Sequence, residues 1–383
     1  MKGFKNSKIY IRGEGVKILD IAIENGKITK IGENLDISEP YSVKEGSIVV
    51  PAFIDEHIHG AAGSDVMDAS YNALCDISDE LAKEGTANFL ATTMTQSEEN
   101  IISALSCVKE YMVKGRTKGA NLLGVHLEGP FISENHIGAQ PLKYLSEPNS
   151  EIFKKYYKAS GNAIKMITLA PEEPEANKLI KNIVKRGVIV SVGHSDAGIK
   201  DIDSAKKSGL TCVTHTYNAQ RGLHHREIGV VGSAMLMDEL YTEIICDLIH
   251  VSEPAIRLLL KTKPKDKIIL ITDAMRQKGL KDGISELGGQ KVIVKNGEAR
   301  LYNGALAGSV LKMNDAVKNM VTKCGVPLTD AIDFASFNPA NNLRIADKTG
   351  SIAVGKDADI TVLDEKFNVG LTLSKGNVIY KRK

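Results

Sequence analysis

The chain has no surplus of either charge, no CxxC pair and no apolar run approaching the roughly 18 residues that a membrane-crossing helix requires. Its 49 basic and 47 acidic side chains leave a net charge of +2, too balanced for a surface that grips nucleic acid or an anionic membrane. The opening MKGFKNSKIY lacks the apolar stretch of a secretory signal, so export is not expected. The five cysteines (Cys75, Cys107, Cys212, Cys246, Cys324) are odd in number and widely spaced. They read as reduced thiols of a cytoplasmic protein, not as a disulfide framework. What remains is ordinary globular composition, 43% hydrophobic and 25% charged. At 383 residues the chain accommodates a large α/β barrel and a small companion domain.

Both ends are rich in short alternating strands. Asn25-Gly26, between DIAIE and KITKI, is a strong hairpin signal, because both residues accept positive φ. The tail carries comparable signals at Val354-Gly355 and Lys375-Gly376. These features predict one small β-sandwich domain assembled from residues 1–50 and 345–383. The middle, residues 51–344, alternates β-branched runs with helical periodicity. Candidate strands are PAFIDEH (51–57), ANFLATT (87–93), NLLGVHLE (121–128) and IKMITLAP (164–171). They continue with GVIVSVGH (187–194), TCVTHT (211–216), YTEIICD (241–247) and KIILITD (267–273). Between them lie segments such as YNALCDISDELAKEG, with apolar residues at helical spacing and a glycine stop, and SEENIISALSCVKEYMVKG, opened by Ser97 as a cap. Eight strands each followed by a helix or long loop predict a TIM-like (β/α)8 barrel of class α/β. A doubly wound sheet is disfavoured, because no glycine-rich fingerprint follows the first strand.

In such a barrel the C-terminal strand ends converge on one mouth. His57 and His59 end strand one, Glu128 strand three, His194 strand five, His215 strand six and Asp273 strand eight. In an extended chain residues i and i+2 share a face, so His57 and His59 can bind one ion together. Any one histidine at a strand end is more often a hydrogen-bonded structural residue; five metal-capable side chains plus an aspartate, all at strand ends, point to a divalent cation site. Nitrogen and oxygen donors without thiolate suit Zn²⁺, Fe²⁺, Mn²⁺ or Co²⁺ alike. His126 reads as a core or supporting residue, Ser195 as a helix cap, His136 as a surface-loop histidine, and LHHREIG (223–229) as an exposed loop. Met235, Met237, Met313 and Met320 read as core filler.

The segments PAFIDEHIHG, GVHLEGPFISENHIGAQ, VGHSDA, THTYNAQ, HHREIG, ITDAM and LAGSVLKM together resemble the N-acetylglucosamine-6-phosphate deacetylases of the amidohydrolase superfamily. The resemblance runs in order from about residue 45 to the C-terminal GSIAVGKDADITVLD. It implies hydrolysis of N-acetylglucosamine 6-phosphate to glucosamine 6-phosphate and acetate, in amino-sugar catabolism and cell-wall sugar recycling. It also implies one or two metal ions per subunit, with Glu128, His194 and His215 holding the tighter. His57 and His59 form the second site, with Glu128 as bridge and Asp273 nearby. Asp273 matches the catalytic aspartate. Asn218, Ala219, Arg226 and His250 match sugar-phosphate contacts. Ala139, Gln140, Leu306, Ala307 and Gly308 match further substrate contacts. A cytoplasmic homodimer is implied, the neighbouring subunit lending Arg226. Three positions depart from the family: Ala52 and Leu248 stand where glycine is usual, and Ile228 where proline is. The nearest competing readings are another amidohydrolase acting on a different amide, and a non-catalytic binder on the same scaffold. Strand four has no lysine at its tip to bridge two metals, which counts against the first; Asp273 counts against the second.

Overall fold

The computed structural model describes residues 1–382. All eight expected strands form, as Phe53–Ile58, Thr86–Thr93, Asn121–Glu128, Ile164–Leu169, Ile189–Val192, Cys212–Val213, Tyr241–Ile245 and Ile268–Ile271. They pair in parallel and in chain order into one eight-stranded sheet. The first and eighth strands meet largely through side chains. Asp55 accepts hydrogen bonds from the Thr272 hydroxyl at 2.5 Å and its main-chain N–H at 3.3 Å, and the Asp273 N–H donates to the His57 carbonyl at 2.9 Å. The strands are buried on both faces, because helices cover one face and the barrel lumen the other. Two apolar cores fill the layer between sheet and helices. The lumen below the mouth is polar and hydrogen-bonded: His126 Nε2 meets Thr168 Oγ1 at 2.7 Å, which meets Thr214 Oγ1 at 2.8 Å.

Local signals act largely as expected. Helices Tyr71–Lys83 and Glu98–Lys114 form, and Ser97 accepts the Asn100 N–H at 3.3 Å as the second helix's cap. Ser195 is not a helix cap. Its hydroxyl donates to Glu172 at 2.7 Å, and the next helix starts from Gly198, whose N–H is taken by Asp201.

The termini build one mixed sheet in which Ile48–Pro51 joins the N-terminal strands to Ile360–Leu363. Asn25-Gly26 and Lys375-Gly376 are both two-residue hairpin turns with positive φ throughout. The sheet curls until these turns touch: a Cβ added to Gly26 would lie 2.8 Å from the Lys375 carbonyl oxygen. Phe4, Ile21, Val362 and Leu371 share the enclosed core. Gly26→Ala is therefore expected to cost about 1–2 kcal/mol in urea unfolding, from left-handed strain plus this clash, with barrel activity unchanged. Val354-Gly355 is a turn but no hairpin. Its backbone docks edge-on against Ile28, through Gly355 N–H to the Ile28 carbonyl at 2.8 Å and Ile28 N–H to the Lys356 carbonyl at 2.9 Å.

One element lay outside the sequence expectations. After strand eight, Gly283–Leu287, Gln290–Lys295 and Glu298–Leu301 form a three-stranded antiparallel insertion. Its turns, Gly288-Gly289 and Asn296-Gly297, were readable signals of the same kind as Asn25-Gly26. Leu287, Val292 and Val294 pack over Met94, Met275 and Ala307, placing the insertion beside the barrel mouth. Among the described residues no helix is long and apolar enough to cross a membrane.

Candidate active site

The six residues expected at the mouth meet around the Glu128 carboxylate. Its Oε1 lies 3.3 Å from His194 Nε2, 3.2 Å from His215 Nε2 and 3.4 Å from His57 Nε2. Its Oε2 lies 3.1 Å from His59 Nε2. Asp273 Oδ1 closes the group at 3.3 Å from His59 Nε2 and 3.6 Å from His57 Nε2. Two overlapping triads result, Glu128–His194–His215 and His57–His59–Glu128.

Three of the rings are locked from behind. His57 Nδ1 faces Glu243 Oε2 at 3.0 Å, His59 Nδ1 the Thr92 carbonyl at 3.2 Å, and His194 Nδ1 the His136 carbonyl at 3.0 Å. Each of these partners accepts, so each Nδ1 donates and each ring turns its Nε2 toward carboxylate oxygen. Nitrogen and carboxylate oxygen atoms this close require positive charge between them, from protons or from a cation that replaces them. His194 Nε2 and His215 Nε2, 3.1 Å apart, make the same demand. The residues therefore fit a divalent cation, with a nitrogen and oxygen donor set that does not select the metal.

The site's electrostatics agree. Burial opposes a charge on His57, yet the Glu128, Asp273 and Glu243 carboxylates hold its pKa well above the ordinary value. His59 is likewise raised against burial, to about 10, by its bonds to Asp273 and Glu128. Burial also opposes ionisation of Asp273, but the charges on His57 and His59 outweigh it and bring the carboxyl down to about 2. The ensemble attracts positive charge and keeps Asp273 ionised at neutral pH.

Backbone geometry marks the same positions. His194 (φ 50°), His215 (φ 28°) and Asp273 (φ 47°) are left-handed without being glycine, each just beyond its strand. Such conformations cost energy and persist where the surroundings enforce them. Leu248 is left-handed too, at φ 66°, which accounts for the glycine usual there. Ile228, at φ −76°, occupies a conformation proline also adopts, and Ala52 is not left-handed, so neither departure strains the fold.

A cavity of about 250 Å³ opens above the cluster. Asn218, Ala219 and His250 line it, as do Ala139, Gln140, Leu306 and Gly308. Gln140 also donates to Glu128 Oε2 at 2.9 Å, so its amide orients that carboxylate. Ala307 is buried behind the wall, with its N–H on the Ala299 carbonyl. Arg226 is not on the wall: it is exposed, in the loop with His224 and His225. Among the described residues neither lysine nor arginine lines the cavity.

His126 is a core residue, as expected, with both ring nitrogens engaged by Glu56 and Thr168. His136 is more than a surface histidine, because its carbonyl fixes His194. Glu243 lay outside the sequence expectations, although a lone carboxylate inside the apolar run YTEIICD was a signal. Its Oε2 accepts from His57 Nδ1 and from the His215 main-chain N–H at 3.2 Å, tying both triads to strand seven. Glu243→Ala is expected to weaken cation binding at the His57 end about tenfold, read by metal titration, with Glu243→Gln recovering part of the loss.

The amidohydrolase family profile matches residues 48–379. The chain is 42% identical to the N-acetylglucosamine-6-phosphate deacetylase of Bacillus subtilis (strain 168), covering 98% of this chain and 96% of that protein. The crystal structure of the Pasteurella multocida enzyme of that name superposes with a TM-score of 0.93 at 31% identity, covering 98% and 99% of the two chains. A Mycobacterium smegmatis structure in complex with N-acetyl-D-glucosamine-6-phosphate gives a TM-score of 0.92 at 26% identity, covering 99% of each chain.

Proposed function

The chain belongs to the amidohydrolase family, and from that membership we propose that it hydrolyses N-acetylglucosamine 6-phosphate to glucosamine 6-phosphate and acetate. The observation that carries this reading is the Glu128-centred cluster, with Asp273 at its edge, at the floor of a cavity suited to a small sugar. In this reading residues 51–344 are the catalytic barrel, residues 1–50 and 345–383 the small β domain, and the enzyme serves cytoplasmic amino-sugar catabolism and cell-wall sugar recycling.

Glu128, His194 and His215 would hold one cation and His57 and His59 the other, with Glu128 shared. When bound, a divalent cation supplies Lewis acidity that acidifies water and polarises the amide carbonyl. Asp273 Oδ1, ionised and directed into the mouth, takes the proton from the attacking water and delivers it to the departing amine nitrogen. The departing amine thus leaves protonated, which an unassisted amide cannot achieve at neutral pH.

The sugar phosphate is bound at the Asn218, Ala219 and His250 side. Burial works against a charge on His250, but its 2.6 Å bond to Asp247 raises its pKa and leaves Nε2 free to meet an anion. Because no lysine or arginine among the described residues lines the cavity, the remaining phosphate charge is met by Arg226 of a neighbouring copy in a homodimer. The test of the activity is coupled detection of acetate and free amine from N-acetylglucosamine 6-phosphate. The plain sugar is expected to be poorer by about 2–4 kcal/mol in kcat/KM, the cost of leaving these donors unpaired. Arg226→Ala should raise KM for the phosphorylated sugar and narrow that gap. Equal efficiency on both sugars in the wild type would refute the phosphate site.

A further inference from the structure

The cavity is chemically two-sided, and only one side is absorbed by sugar-phosphate recognition. Asn218, Ala219 and His250 come from the loops after strands six and seven. Strand two lies four places from strand six in the eight-strand order, so Met94, directly after strand two, faces them from the far side of the barrel mouth. Leu287, in the three-stranded insertion, packs with Met94. Both are essentially buried, at 1% and 2% exposure, and they belong to one apolar cluster with Ala139 and Ala305 at its margin.

This wall is held in place. Gln290 Nε2 donates to the Ala139 carbonyl at 2.6 Å, and Gln96 Nε2 to the Gly288 carbonyl at 3.4 Å, pinning the insertion tip over the loops after strands two and three. A Cβ on Gly288 would fall 3.2 Å from Met94 Cε, so Met94 is packed against the tip with no slack. At its foot, Gln140 accepts the Thr95 N–H at 2.8 Å and donates to Glu128. The apolar surface therefore begins directly beside the reacting centre.

A substrate amide has a polar sugar on nitrogen and an apolar group on the carbonyl carbon. With the sugar phosphate on the strand-six and strand-seven side and the carbonyl at the cluster, the acyl carbon chain points to the opposite wall. We propose that Met94 and Leu287 form the acyl subsite and set the length of the acyl group the enzyme removes. This rests on the deacetylase reading above and adds the determinant of its acyl specificity. A pocket wall of this kind discriminates one methylene by roughly 10- to 200-fold.

The test compares kcat/KM for N-acetyl-, N-propionyl- and N-butyrylglucosamine 6-phosphate in the wild type, Leu287→Ala and Met94→Ala, with Leu287→Val as a milder variant should truncation unfold the insertion. Thermal melts and metal content are measured on every sample. The wild type is expected to favour acetyl over propionyl by about tenfold or more. Either alanine variant should raise the propionyl-to-acetyl ratio about tenfold, and Leu287→Val should raise it less. A ratio unmoved in all folded, metal-loaded variants overturns the acyl-wall assignment while leaving the deacetylase reading intact. Wild-type enzyme that cleaves none of the three amides overturns both.

Discussion

His215→Ala protein is expected to purify folded, with the Glu128–His194–His215 site empty and turnover lost. The reason is geometric. His215 Nε2 lies 3.2 Å from Glu128 Oε1 and 3.1 Å from His194 Nε2, so its removal leaves only two donors at that position. Two donors do not retain a divalent ion against water, and the loss should exceed the roughly 10- to 100-fold that removal of a supporting residue costs. His194→Ala should behave alike. His57→Ala should differ, because Glu128, His194 and His215 remain together, and one equivalent of metal should survive. Metal analysis on protein desalted into metal-free buffer, alongside acetate release, reads the distinction. Full metal content in the His215 variant would sink the ligand assignment, and complete loss of metal in the His57 variant would sink the division into two sites.

Asp273→Asn is expected to lower kcat by a hundredfold to ten-thousandfold with little change in fold. The substitution keeps shape and one oxygen but removes the carboxylate that accepts the proton. A merely structural role predicts otherwise. The Asp273 main chain already anchors the strand end, through its N–H to the His57 carbonyl and its carbonyl to the Ser309 N–H at 2.8 Å, and these bonds survive in the variant. A structural aspartate would then be replaced at modest cost. Since Asp273 Oδ1 also lies 3.3 Å from His59 Nε2, metal content must be measured in the same sample. A metal-replete Asn variant with near wild-type kcat would remove Asp273 from the chemistry.

Some of this architecture is carried by local chemistry and was legible before any fold. Asn25-Gly26 and Lys375-Gly376 specify their turns because few residue pairs tolerate consecutive positive φ. The eight barrel strands announce themselves because a strand covered on both faces is rich in β-branched and apolar residues. The six metal-capable and acidic side chains were legible for the complementary reason: a polar residue ending an apolar run needs a partner, and barrel topology sends all such ends to one mouth. Glu243 escaped although the same logic applied, because it lies within its strand and not at the end. The insertion escaped although Gly288-Gly289 and Asn296-Gly297 were in plain view.

The amino-acid sequence alone determined the element types, the barrel, the donor set and the family, since each depends on residue identity at short range or on an ordered series of motifs. Tertiary structure alone decided which atoms of those residues face one another. That Glu128 Oε1 is shared by three imidazoles, that Glu243 and the His136 carbonyl lock the rings, and that Arg226 stands outside its own cavity are matters of distance between strands far apart in the chain. The left-handed turns at His194, His215 and Asp273 belong there too, because His and Asp tolerate that conformation better than most residues but do not by themselves select it. It is held by the surrounding barrel, whose packing repays the strain by bringing the donors to one point.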